Sequence, residues 1–197
     1  MTPTRPRHLI VMTSIAVCLV LDACAAAPLA SIAMEMAGLK KTVELPDAQK
    51  PPRHVSIKLH AADNLNTDPD GHPLAVIARI YKLKQSAAFE GAPYDSFLSA
   101  QKEKELLGAD LLEVKEVMLI PGQRYETVEK VSKEAYFIGV VALFRSPAQQ
   151  RWRLDFAAAD AEKSGITVGV HACALSVGAG SASADGSATP LTAVRCH

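Results

Sequence analysis

A period-two alternation of apolar and polar side chains begins at Arg53. Val55, Ile57, Leu59 and Ala61 alternate with Ser56, Lys58 and His60, which predicts a strand with one buried face and a solvated His60 on the other. Leu74–Leu83 is apolar on both faces except at Arg79 and Lys82, the pattern of a central strand. Arg79 is there either paired with a buried carboxylate or at a sheet edge, and the sequence leaves both open. Ser86–Leu107 loses the alternation. Phe89, Tyr94, Phe97, Leu98, Leu106 and Leu107 flank the polar run Gln101–Glu105, which predicts one or two short helices with Asp95 as an N-cap. Strand pattern returns over Leu111–Ile120 and stops at Pro121-Gly122. Gln123–Val131 places Tyr125, Thr127 and Glu129 on one face, and Ala135–Phe144 is the most apolar run. Trp152, Leu154 and Phe156 alternate with Arg151, Arg153 and Asp155, a half-exposed strand with Trp152 in the core. Ile166, Val168 and Val170 begin the last strand. The sum is a mostly β chain: an antiparallel β-sandwich of about seven strands, with a short helical insertion between strands 2 and 3.

The flanks belong to other environments. Arg5 and Arg7 precede the apolar run Leu9–Leu21, which has the length of a secretion signal and is short for a membrane span. The run ends in Leu21-Asp22-Ala23-Cys24, which resembles the bacterial lipobox. Residues 1–23 are therefore expected to be a lipoprotein signal peptide, with Cys24 acylated as the first mature residue. Acyl methylenes bury ~0.8 kcal/mol each, so two or three chains anchor permanently. Ala25 stands where an Asp would favour inner-membrane retention; by resemblance to enterobacterial sorting rules this points to the outer membrane, facing the periplasm. Residues 24–52, rich in Ala and Met and closed by Pro46, Pro51 and Pro52, read as a lipidated tether with one short helix near Leu29–Leu39. Residues 53–177 make the sandwich domain, and 178–197 a flexible Gly/Ser/Ala-rich tail.

Charge narrows the partners. Lys+Arg and Asp+Glu are 21 each, and loss of Arg5, Arg7 and Asp22 with the signal leaves 19 against 20. Such a balance excludes a nucleic-acid stripe. Aromatics are 5%, too few for many stacking platforms. No Gly-x-Ser-x-Gly, P-loop, HExxH or dinucleotide motif occurs, so no enzyme activity is expected. No cofactor is expected beyond the covalent lipid on Cys24. Of four cysteines, Cys18 leaves with the signal and Cys24 is acylated, which leaves Cys173 and Cys196. In an oxidising compartment they are expected to pair, at ~3 kcal/mol of loop entropy. A zinc set of His171, Cys173, Cys196 and His197 is the alternative, although its spacing matches no zinc pattern. Asp63–Pro73 is dense in turn residues and carries Asp63, Asp68 and Asp70. Its Asp68-Pro69-Asp70-Gly71 lacks a later bidentate Glu and suits calcium poorly, so no metal is expected.

Five motifs stand in a specific order over roughly residues 53–171. The lipobox precedes Leu65-Asn66, Asp68 and Asp70-Gly71-His72-Pro73-Leu74; Val76–Leu83 is followed by Phe89; Asp110-Leu111-Leu112 precedes Leu119-Ile120-Pro121-Gly122; Tyr136–Arg145 precedes Trp152-Arg153. This order resembles the type VI secretion lipoprotein family, TssJ (SciN). His72 departs from the usual Arg, and nothing beyond about Val170 is covered. The resemblance implies a transthyretin-like sandwich on an outer-membrane lipoprotein. It implies binding to the periplasmic C-terminal domain of TssM, with TssL joined indirectly in one membrane complex. It places partner binding on the loop between strands 1 and 2, here Asn64, Leu65, Asn66, Thr67, Asp68, Pro69, Asp70, Gly71, His72 and Pro73. The rival reading is a periplasmic lipoprotein whose sandwich face binds a small ligand or glycan. The lipidation step is directly testable: cells expressing Cys24→Ser should incorporate no radiolabelled palmitate, and retained label would refute the assignment.

Overall fold

The computed structural model describes residues 44–182 and Cys196. Cys24, the expected helix near Leu29–Leu39 and residues 183–195 lie outside the described residues. The strands are β1 (Arg53–Ala61), β2 (Val76–Leu83), β3 (Leu111–Leu119), β4 (Arg124–Val131), β5 (Phe137–Ala142), β6 (Arg153–Ala157), β7 (Ile166–Val170) and β8 (Leu175–Val177). They form two four-stranded sheets, ordered β4-β1-β7-β8 and β3-β2-β5-β6. The architecture is the expected sandwich, with two refinements. A short eighth strand follows β7, and β1 pairs with β7 in parallel while the other pairs are antiparallel. Alternation reveals a strand and its buried face; it does not reveal a partner a hundred residues away.

Register sets the inner faces. Arg53↔Val131 through His60↔Arg124 aligns Val55, Ile57 and Leu59 with Glu129, Thr127 and Tyr125 on the inner side. Val55, Ile57, Leu59, Ile80, Ile138, Val140, Phe156, Ile166 and Val168 share one core between the sheets. Each buried aliphatic side chain contributes about 1.5–3 kcal/mol. His60, expected in solvent, is half-buried, and its Nε2 is shielded with no hydrogen-bond partner among the described residues.

The outer face of the second sheet is equally dry, because the insertion between β2 and β3 lies on it. That insertion is α1 (Ala87–Gly91), a 3-10 turn (Tyr94–Leu98) and α2 (Ala100–Leu107). The N-cap is Ser99, whose side chain accepts the Lys102 N–H; the expected cap, Asp95, sits inside the 3-10 turn. Tyr81 of β2 packs against Phe89 at 5.3 Å and Phe97 at 5.8 Å, and Phe97 continues to Trp152 at 5.2 Å. Tyr94 closes the group edge-on to Trp152 at 5.0 Å. Gly139 makes room: a Cβ there would lie 2.6 Å from Phe89 Cζ. Arg79 is pinned under the insertion, 2.5 Å from Glu103 and 2.8 Å from the Phe97 carbonyl, so the paired reading applies. Arg153 lies over Trp152 at 4.7 Å and donates to the carbonyls of Phe89 and Ala92. The expected exposed face of β6 is therefore covered: Arg151 and Asp155 are buried too. An unforeseen helix, α3 (Ala158–Ser164), follows β6, buries Ala158 and Ala161, and ends at Gly165 with φ 73°. Its signal was the run Ala157–Ala161 closed by a glycine.

The tail does not leave the sandwich at once. Gly178 N–H donates to the Thr167 carbonyl, Thr167 N–H to Ser181 Oγ and Ala182 N–H to the Gly165 carbonyl, so 178–182 runs beside β7. Where β3 and β4 flank the gap between sheets, charges bridge them. Lys82 Nζ lies 2.9 Å from Glu113 and 3.3 Å from Glu129, and Lys115 Nζ 2.6 Å from Glu129. Burial opposes ionisation of Glu129, but hydrogen bonds from Lys115 and Lys82 outweigh it and hold the carboxyl below its ordinary range. A depressed carboxyl stabilises above its unfolded pKa, and that contribution is lost as pH falls through the folded value. Glu129→Gln should cost on the order of 3 kcal/mol at pH 7, because Lys82 loses a buried partner. Urea midpoints of wild type and variant should differ at pH 7 and draw together only as pH falls through the folded value of Glu129, which lies below the ordinary 4.5.

Candidate functional site

The loop between β1 and β2 divides into a root and a tip. Leu65 is fully buried in the core, and its carbonyl accepts the Leu74 N–H at 2.9 Å. Asn66 is also buried and adopts φ 47°, a conformation Asn tolerates better than most residues. Its Nδ2 donates to the Ala75 carbonyl at 2.8 Å, and its Oδ1 accepts the Arg145 N–H at 2.8 Å. Its own N–H donates to the His171 carbonyl at 3.2 Å. One residue, through its side chain and its own N–H, thus fastens the loop to the β5–β6 and β7–β8 connections. Two of the ten expected contact residues, Leu65 and Asn66, therefore hold the loop and do not offer surface.

The tip folds on itself. Asp68 Oδ1 accepts the N–H groups of Asp70 at 2.9 Å and His72 at 2.8 Å, and Asp68 N–H donates to the His72 carbonyl at 3.0 Å. Gly71 completes the turn at φ 87°, with open space around its Cα. The His72 backbone N–H, strongest among these donors, holds the Asp68 carboxyl below the usual carboxylate range. Thr67 Oγ1 caps the approach by donating to the Asn64 carbonyl at 2.7 Å. Asn64, Pro69, Asp70, Gly71, His72 and Pro73 are exposed, as is Asp63 beside them. Leu74 and Ala75 are exposed too and belong to the loop; the sequence pattern had placed them in the strand, which starts at Val76. The Asp68 carboxylate is spent within the turn, so the outward negative charge is that of Asp63 and Asp70.

Asp68, Asp70 and His72 bring potential ligand atoms within 4.8 Å of one another. The donor set is poor for a cation, since Asp68 Oδ1 already accepts two N–H groups and no bidentate Glu joins it. Sequence reasoning names Arg145 only as the close of the Tyr136–Arg145 motif and not as a site residue; its exposed side chain stands on the segment that Asn66 secures. Cys173 is bonded to Cys196 across a Cα–Cα distance of 5.7 Å. His171 Nε2 lies 2.8 Å from Ser176 Oγ, and burial pushes its pKa down. Both are thereby engaged away from the zinc alternative. Five aromatics, Tyr81, Phe89, Tyr94, Phe97 and Trp152, pack on one another at the helical insertion, which removes them from a glycan platform.

Fold and site together define a β-sandwich module that presents one rooted polar loop at its end. Residues 53–173 match the type VI secretion lipoprotein family (VasD, EvfM, TssJ), and the chain belongs to that family. It is 29% identical to the T6SS lipoprotein TssJ1 from Pseudomonas aeruginosa, covering 65% of this chain and 96% of that one at a TM-score of 0.58. A chain in a structure described as a type VI membrane complex is 27% identical, covering 64% and 98% at 0.59. A chain in a structure described as the T6SS protein TssM C-terminal domain from EAEC is 27% identical, covering 64% and 97% at 0.54. No curated protein sequence matches significantly. Membership makes the protein a membrane-associated secretion lipoprotein of a family not known for catalysis. No helix among the described residues is long and apolar enough to cross a membrane.

The root has a measurable weight. Asn66→Ala removes the part-buried hydrogen bonds to the Ala75 carbonyl and the Arg145 N–H, at about 0.5–1.5 kcal/mol each. Asn66→Gly loses the same bonds but accommodates the positive φ, so urea unfolding should rank stability Asn above Gly above Ala.

Proposed function

We propose that the protein is a non-catalytic adaptor of the type VI secretion membrane complex, anchored in the outer membrane and facing the periplasm. Acyl chains on Cys24 supply the anchor, residues 24–52 the tether and the sandwich a rigid spacer. The loop Asn64–Pro73 engages the periplasmic C-terminal domain of TssM, and through it TssL indirectly. The observation that carries this reading is the rooting of the loop, which holds a polar tip in place before any partner arrives. Preorganisation of this kind removes ordering cost from binding. Polarity supports it as well. The segment preceding β1 joins at Arg53, and the loop leaves at Ala61, eight residues further along. At ~3.3 Å per residue that is about 26 Å, so the loop leaves β1 at the end away from its entry point. Family membership and similarity to chains in the two complex-related structures point the same way.

With Asp63 and Asp70 as its outward charges, the tip suits a basic patch on the partner. Asp70→Lys should weaken binding to the TssM C-terminal domain about tenfold, mostly through a slower on-rate that higher salt masks in wild type. Surface plasmon resonance at two salt concentrations measures this. Unchanged affinity after deletion of 67–72 in a folded protein would remove the loop from the reading.

A further inference from the structure

The β7–β8 connection, residues 171–174, touches both neighbouring loops. His171 carbonyl accepts the N–H of Asn66, the root of the β1–β2 loop, at 3.2 Å. Cys173 carbonyl accepts the N–H of Ala148, in the β5–β6 connection, at 2.9 Å. The β5–β6 connection returns to the root when Arg145 N–H donates to Asn66 Oδ1 at 2.8 Å. The three segments form a closed circuit of hydrogen bonds with Asn66 in it twice.

Little apolar packing holds this circuit together. Cys173, Ala148 and Ala174 form a small buried cluster of their own, apart from the main core. Two methyl groups and a thioether-sized side chain remove little area from water, and stabilisation scales with that area. β8 is three residues long and sits at the edge of its sheet. Short edge hairpins are marginal by themselves. What adds to the site is covalent: Cys173 is bonded to Cys196. Cys196 lies beyond the family match, which ends at Cys173, so the bond joins the shared domain to a part of the chain outside that match.

We infer that the Cys173–Cys196 disulfide is a positioning element for partner recognition: it fixes the 171–174 connection, whose His171 carbonyl holds the root of the β1–β2 loop. The inference rests on the loop reading above. The cysteines themselves touch no partner, and their effect passes through the His171 carbonyl to Asn66. In an oxidising compartment the loop is held ready; on reduction, two electrons and two protons from a dithiol reductant give two free thiols and the oxidised reductant. The connection then relies on its hydrogen bonds and the small cluster of Ala148, Cys173 and Ala174.

The test uses the full mature chain, compared as wild type, wild type reduced by a dithiol and then reoxidised, and Cys173→Ala/Cys196→Ala. Reduced wild type serves if the double variant does not fold. Two readouts are taken where all forms stay folded: affinity for the TssM C-terminal domain and amide exchange by residue. Losing the bond should weaken binding about five- to tenfold, the ordering cost of one or two side chains. The amides of Asn66, Leu74 and Ala148 should exchange at least about tenfold faster while those of Ile57 and Ile80 keep their protection. Reoxidation should restore both. Unchanged affinity with the bond absent overturns the inference, and so does equal loss of protection in the core, which would make the bond a general staple. Asp70→Lys, run alongside, separates the two levels. If it weakens binding and bond loss does not, only the positioning role falls; if neither weakens binding, the loop reading falls as well.

Discussion

A sheet that is apolar on both faces needs two covers. That constraint organises this molecule. β2 and β5 carry side chains that cannot face water on either side, and the first sheet covers only one of them. The second cover is the insertion between β2 and β3. Its helices are too short to be stable alone. They hold because Phe89 and Phe97 drop onto Tyr81 and Trp152, and because Gly139 leaves a notch for the Phe89 ring. The charged residues in this region then become intelligible. Arg79 and Arg153 tie the insertion down through carboxylate and carbonyl acceptors that a mobile segment would not hold in register.

The rigid body built this way frees one end of the sandwich to carry loops. The β1–β2 loop is not ordered at its base by local contacts alone. It borrows a core position through Leu65 and hydrogen bonds through Asn66, and only the turn around Asp68 is self-contained. A tip so supported has its shape set by the fold beneath it.

Much of this was legible from residue order. The inner faces of β1 and β4 followed from alternation, and the apolar runs of β2 and β5 announced central strands. The helical insertion was visible as a break in period, and the loop as a density of turn residues. What stayed hidden depends on contacts distant in sequence. Parallel pairing of β1 with β7 has no local signature. Arg151, Arg153 and Asp155 looked like a solvated face because the strand alternates; Arg153 instead bonds to an insertion sixty residues earlier, and Arg151 and Asp155 are buried. Asn66 looked like one more turn residue. Its role as a root appears only when Ala75, Arg145 and His171 are brought around it. The tail read as free from composition alone, yet Gly178–Ala182 finds β7 to bond with.

β3 and β4 both end their sheets, on the same flank, with Val114, Met118 and Val128 turned outward and exposed. Open edges with apolar side chains invite strand addition from another molecule. Here the inward positions of that flank hold Lys82, Glu113, Lys115 and Glu129, whose mutual pairing leaves hydrated charge where an added strand would have to pack. The ion cluster that joins the two sheets thus also guards their shared open flank, because an incoming strand would have to strip water from Glu113 and Lys115 to pack there.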